Sequence, residues 1–142
     1  MAAERPLDFY PHRTFDKLRY SDDDRQGHIN NAVYTTFLET GRVEILFNPG
    51  NPLKPPHTSF VIARLELDFI AEANWPGTVE IGTRVLSFGR SSFRLDQSVF
   101  QNGKPVAAAQ TVIVLVDNTT RRSTPLPKAM IERLTPYLRP DN

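Results

Sequence analysis

Between residues 33 and 46 the apolar side chains keep a helical period. Val33, Phe37, Leu38, Gly41 and Ile45 share one face. Asn30 or Asn31 stands where an N-cap would accept a first-turn amide. Asn48-Pro49-Gly50 stops the helix, and four prolines stiffen residues 48–57. Gly41 falls mid-helix, where glycine costs about 1 kcal/mol against alanine; close approach to a covering element accounts for it. Ahead of the helix, Thr14–Tyr20 predicts a short strand with Phe15 as its best buried residue, and residues 1–12 read as a loose arm.

After residue 57 the period drops to two. In Ser59–Ala71, Leu65, Leu67 and Phe69 alternate with Arg64, Glu66 and Asp68, which predicts a half-buried strand. Val79, Ile81 and Val85 alternate with Glu80 and Arg84 in the next, and Phe93, Leu95 and Val99 with Arg94, Asp96 and Ser98 in the one after. Trp75-Pro76-Gly77, Gly89-Arg90-Ser91-Ser92 and Asn102-Gly103 mark the turns between them, the last a hairpin signal. Val106–Val116 is apolar on both faces, which predicts a strand covered on each side. Thr119–Thr124 is a polar turn, and Pro127 opens a short final helix carrying Met130, Ile131 and Leu134.

Strand, long helix, four strands joined by tight turns and a small helix make an α+β chain with antiparallel neighbours. Only the long helix can cover the sheet. The 142 residues predict one domain spanning 1–142. Composition then removes whole classes of function. Seventeen basic residues against sixteen acidic ones, net +1, give no electrostatic case for nucleic acid or an anionic membrane. The absence of cysteine excludes disulfides, thiolate zinc sites, iron–sulfur clusters and cysteine nucleophiles. His12, His28 and His57 are too few for a histidine-built metal site, and Asp22, Asp23 and Asp24 lack partners at ligand spacing, so neither metal nor cofactor is expected. The N-terminus has no signal-peptide run. The longest apolar stretch, Val112–Val116, is far below the ~20 residues that span a bilayer, so the expected compartment is the cytoplasm.

The densest polar cluster, Arg19 to Asn31, runs into the start of the long helix. A helix start offers free amides and partial positive charge, which suits a developing oxyanion. A carboxylate nearby completes the minimum for acyl transfer from an activated ester. The same residues also read as a solvated acidic loop that caps the helix. His28 is an acid–base candidate or an orienting group. Asp24 with His28 suggests a serine-type triad, but no Gly-x-Ser-x-Gly occurs. Gly89-Arg90-Ser91-Ser92 can bind a phosphate or be a plain turn.

Arg19-Tyr20-x-x-x-Asp24-x-x-Gly27-His28-Ile29-Asn30-Asn31-x-x-Tyr34 resembles the motif of the hotdog-fold acyl-CoA thioesterases of the 4-hydroxybenzoyl-CoA thioesterase-like superfamily, in its FadM/YbgC-like branch. Phe60–Phe69, Gly89–Phe93 and Val112–Asp117 are similar to that branch too, so the likeness runs from about Phe15 to Pro127. It implies a hotdog fold: a five-stranded antiparallel sheet wrapped around one long central helix, with a core of about residues 13–127 and a short C-terminal helix. Carried over, the catalytic carboxylate falls on Asp24 and the oxyanion donor near Asn31, with His28 beside them. Phosphate or pantetheine contacts fall on Arg90, Ser91 and Ser92. Substrate contacts fall on Gly27, Tyr34, Phe60 and Val61. Three consecutive aspartates depart from the branch, where Glu and Thr are frequent at the positions of Asp22 and Asp23.

The resemblance therefore implies an enzyme that hydrolyses acyl-CoA to free acid and CoA. An aspartate of ordinary pKa, about 3.9, suffices, either activating water or attacking the carbonyl to form an anhydride. The alternatives are a hotdog hydratase or dehydratase and a non-catalytic acyl-CoA-binding hotdog protein. The implied assembly is a homodimer joined sheet edge to sheet edge, or a tetramer of two such dimers. Each site would take Asp24 from one subunit and a wall from residues 59–64 of the other.

Overall fold

The computed structural model describes residues 5–141. Its five strands are β1 (His12–Lys17), β2 (Thr58–Phe69), β3 (Thr78–Phe88), β4 (Ser92–Gln101) and β5 (Lys104–Asp117). They form one antiparallel sheet in the order β1-β3-β4-β5-β2. The helix α1 (Val33–Leu46) lies against one face, and the short α2 (Lys128–Leu134) follows β5. This is the hotdog arrangement that the pattern and the resemblance imply. Asn102 and Gly103 both adopt positive φ, +53° and +78°, which turns β4 straight into β5.

The helix-side core falls into two apolar clusters. Tyr34, Phe37 and Leu38 pack with Ile81 and Val99 towards the start of α1. Ile45 and Leu46 pack with Leu95, Ile113 and Leu115 towards its end. Between them α1 meets a polar strip at Gly41. A Cβ there would stand 2.7 Å from Gln97 Nε2 and 2.9 Å from both Ile81 Cγ2 and Thr83 Oγ1. Gln97 Nε2 donates to the Leu38 carbonyl and to Thr83 Oγ1, each at 3.0 Å, so its amide cannot retreat without losing two bonds.

Four expectations need correction. Strand β1 ends at Lys17, and Phe15 is 65% exposed. The alternation turns Thr14 and Asp16 towards the helix instead, where they bond Glu44 and Thr40. The stretch 1–12 is not wholly a loose arm, although residues 1–4 lie outside the described residues. Leu7–Phe9 forms a 3₁₀ turn and Tyr10 is buried on the outer face, its ring over Gly82, its hydroxyl 2.6 Å from Ser98 Oγ. Strand β5 is buried on one face only; Val112, Val114 and Val116 on the other are half-buried. In β2, Leu67 is partly buried, but Leu65 and Phe69 are exposed because β2 is an edge strand.

The outer face also holds a buried ion pair across β3 and β4. Arg84 meets Asp96 at 2.7 Å and Asp141 at 2.7 Å, and donates to the Arg139 carbonyl. Burial pushes the Asp96 pKa up while Arg84 pulls it down. No helix among the described residues is long and apolar enough to cross a membrane.

Gly41→Ala gains about 1 kcal/mol of helix propensity but overpacks the polar strip, which costs about 1–3 kcal/mol and disturbs the Gln97 bonds. Denaturant titration should show a lower midpoint with unchanged slope. A raised midpoint would mean that α1 sits farther from the sheet.

Candidate functional site

Between β1 and α1 the chain folds into a tight loop anchored by Asp22. This carboxylate is buried, accepts the Arg19 N–H at 2.8 Å and pairs with the Arg19 guanidinium at 3.0 Å. Asp22 is thus structural, and the acidic run is not simply a solvated face. A narrow ladder follows: the Asp24 N–H donates to the His28 carbonyl at 2.9 Å and the Asn30 N–H to the Asp22 carbonyl at 2.8 Å. Gly27, at φ +83°, closes the turn.

That ladder sets Asp24 against His28. Asp24 Oδ1 accepts the Gln26 N–H at 2.8 Å, and Oδ2 lies 3.2 Å from His28 Nδ1. His28 Nε2 lies 2.9 Å from Gln26 Oε1. Both ring nitrogens can donate only in the imidazolium. In the neutral ring one nitrogen accepts, and the Gln26 amide turns its NH₂ towards it.

The start of α1 is capped one turn early. Asn30 Oδ1 accepts the Ala32 N–H at 3.0 Å and the Asn30 carbonyl accepts the Val33 N–H at 2.9 Å, while the Tyr34 N–H reaches the Asn31 carbonyl at 3.4 Å. The Asn31 N–H alone in this run has no acceptor among the described residues. It stands at the positive end of the helix, where an anion is favoured.

A cleft of about 250 Å³ opens there, lined by His28, Asn31, Tyr34, Phe69, Ile70 and Glu72. The Tyr34 ring meets Phe69 edge-on at 5.4 Å, and burial pushes its hydroxyl pKa up, so the phenol stays neutral. Asp24 is joined to this cleft through His28. Sequence reasoning missed Glu72 and Gln26. Glu72 lies in a loop with no periodic signal; Gln26 becomes informative only once the turn at Gly27 folds it over the histidine.

Asp24, Gly27, His28, Asn31 and Tyr34 therefore come together, and the other candidates do not. Phe60 pairs with Leu115 and Ser92 with Val114, at one end of the sheet. Phe69 pairs with Ala107, level with Val99 and Ile81, near the other end. Asp24 belongs to that second end, since the Ile29 N–H bonds the Ala73 carbonyl and the Leu18 N–H the Gly77 carbonyl. Phe60 and Phe69 lie roughly 30 Å apart along β2 at 3.3 Å per residue, so within one chain Phe60, Val61, Arg90, Ser91 and Ser92 sit at the end of the sheet away from Asp24. The Arg90 and Ser91 carbonyls accept from Leu126 and Leu115, which pins their turn, and the Arg90 side chain is exposed. Among the described residues no group of three or more His, Asp or Glu could hold a metal ion.

A family model described as "Thioesterase-like superfamily" matches residues 18–134. The chain is 34% identical over 77 residues to a 1,4-dihydroxy-2-naphthoyl-CoA hydrolase of Synechococcus elongatus, a match covering 54% of each protein, so it spans about half the length of that relative. It is 24% identical over 119 residues to the acyl-CoA thioester hydrolase YbgC of Escherichia coli, covering 81% of this chain and 89% of that one. Among solved structures it is similar to a Thermus thermophilus thioesterase complexed with coenzyme A and zinc, with TM-score 0.79, 33% identity and coverage of 90% and 94%.

Gly27→Ala isolates the backbone cost of the loop. A Cβ there meets nothing within 4 Å, so the penalty is that of left-handed φ, about 1–2 kcal/mol. Chemical denaturation should show that loss; an unchanged midpoint would mean that the loop adopts another conformation at no cost.

Proposed function

The chain belongs to the thioesterase-like superfamily, and from that premise we propose that it hydrolyses acyl-CoA thioesters to a free carboxylic acid and CoA. The observation that carries this reading is the unpartnered Asn31 N–H at the start of α1, in a cleft that His28 links to Asp24. The thioester carbonyl oxygen accepts from that amide. Two of Asp24's lone-pair sites are taken by Gln26 and His28; the others bind a water. The water oxygen adds to the carbonyl carbon as its proton passes to Asp24. The C–O⁻ charge that develops is held by the Asn31 N–H and the helix start, an arrangement worth about 3 kcal/mol per donor. Collapse breaks the C–S bond. The CoA thiolate leaves without a general acid because it is a weak base, and Asp24 then passes its proton to that thiolate, which gives CoA and restores the carboxylate.

One chain carries half of such a site. Strand β2 is an unpaired edge, and Val61, Ile62 and Phe69 on it are 45%, 46% and 51% exposed. Unpaired apolar edges invite pairing with another chain, and two-fold dimers are the commonest outcome. Antiparallel pairing of β2 with its own copy sets the Phe60 end of one subunit beside the Phe69 end of the other. The Asp24 cleft of each subunit then gains Phe60 and Val61 as a wall, and Arg90, Ser91 and Ser92 as contacts for the CoA phosphates, from its partner. The coenzyme A held by the Thermus thermophilus relative supports CoA as the carrier.

Asp24→Asn keeps the shape and the Gln26 bond but removes the base. With an acyl-CoA panel and a thiol reagent, kcat should fall by at least about 100-fold with KM little changed, while Asp23→Asn stays close to wild type. Near-normal turnover by Asp24→Asn would contradict the assignment.

A further inference from the structure

Tyr34 carries a hydroxyl proton that the fold does not use. The residue lies on the first turn of α1 and is 2% exposed. Its ring is held edge-on by Phe37 at 5.8 Å and Phe69 at 5.4 Å. The Ala73 backbone amide approaches the hydroxyl oxygen and favours its charged form, while Glu72 and, above all, burial disfavour it, so the phenol stays neutral. No described residue accepts its proton. In a residue so buried, an unpartnered hydroxyl is sealed unless solvent reaches it. The sealed and unpartnered side-chain atoms are His12 Nδ1, Asp23 Oδ1, Gln97 Oε1 and Thr111 Oγ1, and Tyr34 contributes none. Its hydroxyl therefore opens on the cleft of about 250 Å³ that Tyr34 lines with His28, Asn31, Phe69 and Glu72.

Helix geometry sets that hydroxyl beside the start of α1. Side chains on a helix lean towards its N-terminus and cover the turn before their own Cα. Tyr34 follows Asn31 by three positions, so the two share a face, and the Tyr34 N–H reaches the Asn31 carbonyl at 3.4 Å. The Ala73 backbone that the phenol meets is tied to the loop, because the Ile29 N–H donates to the Ala73 carbonyl at 2.9 Å. The phenol end thus stands level with Ile29, ahead of the first turn, where the Asn31 N–H also lacks an acceptor. The cleft carries two donors without acceptors, and a carbonyl oxygen has two lone pairs to meet them.

We infer that Tyr34 is a further catalytic residue, whose hydroxyl donates to the thioester carbonyl oxygen beside the Asn31 N–H and holds the oxyanion as it develops. This rests on the thioesterase reading above and needs no second subunit. The phenol keeps its proton throughout: the C–O⁻ charge grows against the two donors, and the C–S bond breaks as the C=O bond re-forms. The two aromatic contacts hold the donor in place before substrate arrives, so little reorganisation accompanies the reaction.

Tyr34→Phe tests this by removing one oxygen and keeping both ring contacts. With hexanoyl-CoA, kcat should fall by about 100-fold, the worth of one oxyanion donor, while KM rises by no more than about fivefold, the worth of one ordinary hydrogen bond. Calorimetry adds a readout independent of turnover, with two probes: the ketone isostere of hexanoyl-CoA, in which CH₂ replaces the sulfur, and S-hexyl-CoA, which lacks the carbonyl oxygen. Wild type should bind the ketone more tightly, and Tyr34→Phe should narrow that gap by about fivefold through the ketone alone. A change confined to KM, with kcat near wild type, would make Tyr34 a wall of the acyl pocket and overturn the inference. So would a gap between the probes that Tyr34→Phe leaves unchanged. A Tyr34→Phe protein too unstable to fold also overturns it, because the hydroxyl would then be bonded within the fold. If wild type hydrolyses no thioester, the thioesterase reading fails by itself. A gap that narrows in Tyr34→Phe then upholds the hydroxyl as a donor to a carbonyl oxygen, and an unchanged gap overturns that as well.

Discussion

The side chain that Gly41 lacks fixes the distance between helix and sheet. Three atoms of Gln97, Ile81 and Thr83 occupy the space a Cβ would need, so α1 lies directly on β3 and β4 at that point. The Gln97 amide bonds the Leu38 carbonyl and ties the helix to the sheet by a polar contact between two apolar clusters. The clusters supply most of the burial energy, at about 25 cal/mol per Å², but they leave the height and rotation of a helix less defined than a directional bond does. With the helix held there, its first turn is held as well, and Asn31 lines the cleft together with His28 and Tyr34. The loop from Asp22 to Asn30 needs its own support because it is short and polar. The buried Asp22–Arg19 pair and the Gly27 turn provide it.

Strand length is the second constraint. The sheet is one strand long and the helix spans it, so groups at the two ends of the same chain cannot meet. The Asp24 end carries the reacting groups of the proposed hydrolysis. The Arg90 end carries turn hydroxyls, an exposed arginine and the aromatic cleft at Phe60. Antiparallel pairing of β2 about a two-fold axis brings unlike ends together, and it covers an edge whose apolar side chains are otherwise exposed. The proposed association would account for both the exposed strand and the separation of the candidate residues.

Most of the fold was legible because each element has a period of its own. The helical face from Val33 to Ile45, the alternation at Val79–Val85 and at Phe93–Val99, and the Asn102-Gly103 turn all stand as read. The misreadings at β1 and β2 share a source: alternation reveals that a strand has two unlike faces, but not which face is covered. Phe15 is the apolar member of its strand and still faces out, because Thr14 and Asp16 find hydrogen-bond partners on α1. Leu65 and Phe69 keep a buried-strand pattern on an exposed edge, as a strand awaiting a partner would. At the candidate site, the motif from Asp24 to Tyr34 was local in sequence and so could be read. Its neighbours Phe69, Ile70 and Glu72 arrive from across the sheet and could not.

The central claim is that each active site is built from two chains, with Asp24 from one and the Arg90 end from the other. It is tested most directly by mixing two inactive proteins. Asp24→Asn and Arg90→Glu subunits, unfolded together in equal amounts and refolded, should form hybrid dimers in which one site carries both lesions and the other neither. For random two-fold pairing, about one quarter of all sites are then intact, and kcat/KM should recover to about that fraction of wild type. If the mixture, with hybrid dimers verified by mass, is no more active than the two parents measured separately, Asp24 and Arg90 serve the same chain or no common site, and the shared-site account is wrong.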